Sequence, residues 1–105
     1  MTDCIFCKII KGEIPTTFLY QDDQIVAFRD IYPKAKVHVL VIPRQHIKSL
    51  AETNASHSQL LSHLLLALPK IAQAEGLNNG FRTIINTGVG GGQEIDHLHA
   101  HILGG

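Results

Sequence analysis

Residues 97–102 read His-Leu-His-Ala-His-Ile, three histidines in strict alternation with three apolar residues. A period of two is that of a β-strand, which puts His97, His99 and His101 on one face and Leu98, Ala100 and Ile102 on the other. Alternate imidazoles then stand about 6.6–6.8 Å apart, close enough for two of them to touch one substrate. A helix would place His97 and His101 at i, i+4, the spacing of a zinc-binding helix, but Leu98 stands where that motif needs its catalytic glutamate. The flanking glycines and the shortness of the segment favour the strand. One face of one strand thus carries three groups able to attack, transfer protons or bind metal, in the side chain that titrates near neutral pH.

The remaining segments supply the sheet and its cover. A short helix is expected over 4–11, with Asp3 as its N-cap and Gly12 as its stop. Two strands, 18–20 and 25–29, flank the turn residues Gln21-Asp22-Asp23-Gln24 as a hairpin. Residues 37–42 are β-rich and halt at Pro43, with Val37, Val39 and Val41 on one face and His38, Leu40 and Ile42 on the other. From 56 to 75 the period becomes helical, with Leu61, Leu64, Leu65, Leu68, Ile71 and Ala72 as its stripe. Ser56-His57-Ser58-Gln59 fits a capping box and Gly76 the C-terminal stop. Pro69 lies inside this stripe, which predicts a kinked helix or two shorter ones. His57 and His63 fall on this helix as surface residues without a role. A strand over 81–86 and a glycine-rich loop over 88–93 lead into the histidine strand. The reading is α+β: about five strands in a mainly antiparallel sheet, one long helix and one short N-terminal helix.

Bulk properties narrow the function classes. The 105 residues fit a single domain over 1–105. Formal net charge is zero with histidines neutral, which argues against a nucleic-acid surface, since phosphate-backbone binding needs a basic excess. There is no apolar run of membrane-spanning length, so no membrane association is expected. Asp3 and the cysteines stand where a signal peptide would need basic residues followed by a long apolar run. A cytoplasmic protein is expected. The only cysteines, Cys4 and Cys7, form a C-x-x-C that in a reducing compartment means metal, redox chemistry or buried thiols.

The glycine-rich loop before the histidines brings backbone N–H groups within reach of an anion. Histidine is a competent nucleophile, and phosphorus a natural target. A phosphate cradle beside such a histidine suggests nucleotidyl transfer or hydrolysis. The pattern is also open to a solvated or metal-binding strand.

The run His97-Leu98-His99-Ala100-His101-Ile102-Leu103 resembles the histidine triad signature. Further matches are Ile5-Phe6, Lys8-Ile9-Ile10, Glu13-Ile14-Pro15, Ala27-Phe28-Arg29-Asp30-Ile31, His38, Val41-Ile42-Pro43, His46, Asn86-Thr87, Gly91-Gly92-Gln93-Glu94 and Leu103-Gly104-Gly105. Together they resemble the Hint branch of the histidine triad family, the purine nucleoside phosphoramidases. The resemblance implies the family's fold and a mechanism. His99 would attack the α-phosphorus of a purine nucleoside phosphoramidate, and water would release the monophosphate. His101 would contact phosphate, while His97 and His38 would form a relay that orients the nucleophile. Donors from Gly92, Gln93 and Glu94 would stabilise phosphoryl charge. Phe28, Asp30, Ile31, Leu40 and Asn86 match the nucleoside pocket. Glu94 and Asp96 depart from the family's usual residues.

The resemblance also extends to bacterial members that bind structural zinc, which implies Cys4, Cys7, His46 and His97 as ligands. Four protein ligands would leave no open position for catalysis. A homodimer is implied too, joined through the sheets and long helices, with the leucine-rich stretch over 60–68 as compatible surface. Alternatives are a purine-nucleotide-binding scaffold with vestigial turnover, a dinucleoside polyphosphate hydrolase, or a zinc-handling protein.

Overall fold

The computed structural model describes residues 4–105. Its elements are helix α1 (Ile5–Ile10), strands β1 (Tyr20–Gln21), β2 (Ile25–Arg29) and β3 (Val37–Pro43), helix α2 (Ser58–Ala74), and strands β4 (Arg82–Ile84) and β5 (Ala100–Gly104). Three 3₁₀ turns, Leu50–Glu52, Ala55–His57 and Val89–Gly91, punctuate the connections. The five strands form one antiparallel sheet in the order β1-β2-β3-β5-β4. This is the α+β architecture read from the sequence.

Alternation along the central strands builds two cores. Ile25, Ala27, Val39, Val41, Ala100 and Ile102 face α2, where Leu64, Ala67, Leu68, Ile71 and Ala72 cover them. Val26, Phe28, Leu40 and Ile42 face the other way, onto Phe6 and Ile9 of α1. Both faces of β2 and β3 are therefore buried, which explains their nearly continuous apolar runs. Helix α1 is too short to cover the second face completely. His38, His99 and His101 line a cleft on the part that it leaves open.

Several local expectations are corrected. Asp3 lies outside the described residues; the N-cap of α1 is Cys4, whose Sγ accepts from the Cys7 N–H at 3.4 Å. The capping box belongs to the 3₁₀ turn before α2: the Asn54 side chain caps that turn, and His57 Nδ1 accepts from the Asn54 N–H at 3.1 Å. Ser56 donates to Asn54 instead of capping the helix itself. His57 and His63 are not idle, for His63 Nε2 meets Asp22 Oδ2 at 2.7 Å and ties α2 to the β1–β2 turn. Pro69 neither splits nor ends α2. It removes the N–H that would bond the Leu65 carbonyl, and Leu65 and Pro69 both lie on the exposed side of the helix, where that carbonyl is not shut away from solvent. Gly104 is fixed by close approach: a Cβ there would stand 2.9 Å from Leu77 Cδ2 and 3.3 Å from the Gly80 carbonyl oxygen.

Candidate active site and metal cluster

The histidine strand is shorter than its alternation suggests, because β5 begins at Ala100. The alternation of faces nevertheless continues through the preceding bend. Leu98, Ala100 and Ile102 are 2 % exposed or less, and His99 and His101 line a cleft on the opposite side of the sheet. His97, fully buried, leaves that face. Its ring turns toward α1 and the cysteines.

His99 is held by main chain. Its Nδ1 lies 2.7 Å from the His97 carbonyl oxygen, and a carbonyl only accepts, so the proton is on Nδ1 and the lone pair on Nε2. Among the described residues no buried side-chain nitrogen or oxygen lacks a hydrogen-bond partner. Nε2 of His99 has none, so it is open to the cleft. Phe6 packs edge-on against the rings of both His97 and His99, with centroids 5.8 and 5.2 Å away. Sequence reasoning missed this role; the only signals were the position of Phe6 between the two cysteines and the family match Ile5-Phe6.

His38 on β3 reaches His101, not His99: Nε2 lies 2.9 Å from His101 Nδ1 and 3.5 Å from Asp30 Oδ2. The Lys34 N–H donates to His38 Nδ1 at 3.0 Å. His97 meets His99 through its carbonyl, while its ring faces the cysteines. Burial disfavours the charged forms of His38 and His101. It lowers His38 against the opposing pull of Asp30, and it combines with neighbouring His99 and His38 to push His101 down to about 4.

The cleft encloses about 1020 Å³, ample for a nucleotide. Phe28, Asp30, Ile31, Leu40, Asn86, Gly92 and Glu94 line it with His38, His99 and His101. Phe28 and Leu40 are buried in its floor, while Ile31 stands 81 % exposed at its mouth. Asn86 Nδ2 donates to the Gly91 carbonyl, bracing the glycine loop, and Gly92 takes a left-handed conformation at φ +80° that a side chain would strain. Gln93 is absent from the lining. Its side chain accepts from the Gly88 N–H and donates to the Lys48 and Ile95 carbonyls, so it works as the strut of the loop. Asp96 is exposed.

The C-x-x-C converges with two histidines. The donor atoms of Cys4, Cys7, His46 and His97 lie within 4.8 Å of one another. His97 Nδ1 stands 3.3 Å from Cys4 Sγ, 3.7 Å from Cys7 Sγ and 3.2 Å from His46 Nδ1, and Cys7 Sγ stands 3.4 Å from His46 Nδ1. Donors around a tetrahedral zinc are about 3.3–3.8 Å apart, given bond lengths of ~2.0–2.3 Å. His97 Nε2 meets the Pro43 carbonyl at 2.8 Å, which places its proton there and leaves Nδ1 a lone pair aimed into the cluster. Burial and the neighbouring Cys4 raise the Cys7 thiol when no cation is present. Two sulfurs and two imidazoles converging on one point are the donor set of a metal site, and these four residues could hold a metal.

Comparison with known proteins agrees with this geometry. The family model described as "Scavenger mRNA decapping enzyme C-term binding" matches residues 3–105. An uncharacterized HIT-like protein of Synechococcus elongatus is 56 % identical over 103 residues, covering 98 % of this chain and 90 % of that protein. The purine nucleoside phosphoramidase of Escherichia coli strain K12 is 46 % identical over 104 residues, covering 98 % and 87 %. A HIT family hydrolase of Legionella pneumophila superposes with a TM-score of 0.95 at 49 % identity, covering 98 % and 93 %. The chain belongs to the histidine triad family, and it is an enzyme, a hydrolase of that family.

Proposed function

We propose that this hydrolase cleaves the P–N bond of purine nucleoside 5′-phosphoramidates through a nucleotidyl-His99 intermediate. The observation that carries the reading is the bond from His99 Nδ1 to the His97 carbonyl, which leaves Nε2 as a bare nucleophile in a nucleotide-sized cleft. His99 Nε2 attacks the phosphorus, the P–N bond breaks, and the amine departs with a proton taken up from water, which the hydrolysis step gives back. Water then attacks the phosphorus, the N–P bond to His99 breaks, and the nucleoside monophosphate leaves. His101, with its ring centroid 5.0 Å from that of His99, contacts the phosphoryl oxygens, and N–H groups of the Gly92–Glu94 loop add charge stabilisation. Phe28, Ile31 and Leu40 sandwich the purine, Asp30 accepts from the ribose hydroxyls, and Asn86 holds the loop to the nucleoside. The E. coli relative's name and the family match support the substrate class.

Zinc on Cys4, Cys7, His46 and His97 belongs to the same proposal. It would supply a structural crosslink between α1 and the segment before β5, and the chemistry of the reaction stays with the histidines. So does a homodimer. Leu65 and Leu66 of α2 stand 50 % and 66 % exposed, and β4 is a sheet edge. A cytoplasmic location is the accompanying proposal; among the described residues no helix is long and apolar enough to cross a membrane.

The test is mass spectrometry of the protein mixed with adenosine 5′-phosphoramidate and quenched without acid. Wild type should show a transient adduct of one nucleoside monophosphate and release the monophosphate. His99→Ala should show neither and still bind nucleotide. A wild type that binds nucleotide without adduct or turnover would make the chain a binding module. Turnover confined to dinucleoside polyphosphates would reassign the leaving group.

A further inference from the structure

We propose that the main-chain N–H of Lys34 is a positioning group that fixes the ring tautomers of His38 and His101, so that His101 presents an Nε2–H donor to the cleft. This rests on the reading of His99 as the nucleophile, and it adds the state in which the neighbouring ring waits.

The chain of contacts allows one proton arrangement. The Lys34 N–H points at His38 Nδ1 from 3.0 Å, and two donors cannot face each other, so Nδ1 carries a lone pair. A neutral ring then holds its proton on Nε2. That proton faces two acceptors, His101 Nδ1 at 2.9 Å and the Asp30 carboxylate at 3.5 Å. His101 Nδ1 accepts, so its single proton sits on Nε2. His101 lines the cleft, and Nε2 is the ring position left for a phosphoryl oxygen or a leaving nitrogen. His99, whose proton is on Nδ1, shows the opposite tautomer. The two adjacent rings therefore differ in role by hydrogen bonding alone: one offers a lone pair, the other an N–H. Protonating His101 fully would set its Nδ1–H against the His38 Nε2–H. Relieving that clash needs the His38 proton to move to Nδ1, where the Lys34 N–H stands.

Local sequence holds the Lys34 N–H in place. Asp30 Oδ1 accepts from the Tyr32 N–H at 2.8 Å, the Asp30 N–H bonds the His38 carbonyl at 3.0 Å, and Pro33 fixes the φ of the residue before Lys34. The lock also bears on metal. Donor atoms of Asp30, His38 and His101 lie within 4.8 Å of one another, but a cation there would have to displace the His38 Nε2 proton without a place at Nδ1 to receive it.

Long-range ¹H–¹⁵N correlation of the imidazole nitrogens in the zinc-loaded full chain near pH 7.5 reads the tautomers directly, with no substrate present. The expected result is Nε2–H with bare Nδ1 for both His38 and His101, and Nδ1–H for His99. Lys34→Pro deletes the one N–H and should bring the second tautomer into both His38 and His101. His38→Leu should release His101 into a mixture and lower kcat by about 10²-fold with KM little changed. His38→Gln, whose amide donates from the same place, should keep the Nε2–H form of His101 and stand well above His38→Leu in kcat. A bare Nε2 on wild-type His101, or tautomers unmoved by Lys34→Pro, would overturn the proposal. If Lys34→Pro does not fold, the wild-type spectrum still decides. Failure of the phosphoramidase reading is separate: it would show as no adduct with the tautomers intact.

Discussion

At the scale of residues, the site depends on groups whose contribution comes from their surroundings more than from their type. His97 is the clearest case. Alternation alone does not give its direction, because the ring follows Cys4, Cys7 and His46, residues 51 to 93 positions away; only the family resemblance grouped those four residues, as the structure does. Gln93 reads in sequence as part of a loop of oxyanion donors; its side chain braces that loop from within, a role the sequence did not signal. Phe6 was marked only by its place between the cysteines and in the family match Ile5-Phe6, yet it contacts Phe28, His97 and His99 and is 3 % exposed. Phe6→Ala is expected to lower stability by about 3–5 kcal/mol in urea unfolding, and to lower kcat as well, since the His99 ring loses its packing partner. Phe6→Leu should recover much of the stability. Full stability of Phe6→Ala would show that the metal cluster alone positions α1.

At the scale of elements, period and burial account for most of what could be read. Strand β5 follows from alternation, β2 and β3 from their β-rich apolar runs, and helix α2 from the leucine stripe. Helix ends and braces do not, because they are set by contacts between elements. Asp22 shows how. Its carboxylate accepts from the Gln24 and Ile25 N–H groups, from the Tyr20 hydroxyl and from His63 of α2. Burial alone would raise this carboxyl; the four hydrogen bonds prevail and hold it well below the ordinary carboxylate range. A carboxyl depressed on folding adds stability that is present above its unfolded pKa of about 3.9 and is lost as pH falls below it. Asp22→Ala should therefore flatten the acid limb of a stability–pH curve below pH ~4 while lowering the plateau near neutral pH. His63→Ala removes one of the four bonds and should cost on the order of 1 kcal/mol, measured by urea unfolding. A His63→Ala loss as large as that of Asp22→Ala would mean that the α2 brace, rather than the turn, is the main use of Asp22.

At the scale of the whole molecule, a sheet covered on one side by α2 and on the other by a six-residue helix needs something to hold that helix down. The four-donor cluster fits that need. Chelation of a metal held there should lower Tm by roughly 20 °C, taking about 4 kcal/mol for a free metal concentration 1,000-fold above Kd and ~4–8 °C per kcal/mol for a domain near this size. Thermal scans with and without chelator check this, and an unchanged Tm would leave the thiols as packing groups. The dimer has its own measurement: Leu66→Glu should shift the sedimenting species toward the monomer, and a wild type that sediments as a monomer would remove the dimer from the proposal. One consequence concerns mutation over long times. The acceptor that orients His99 is the peptide carbonyl of His97, and every amino acid carries that carbonyl. A codon change at position 97 can erase the imidazole that faces the cysteines, but none can erase the acceptor. The proposed metal grip and the alignment of the His99 ring are thus heritable separately, although one residue carries both.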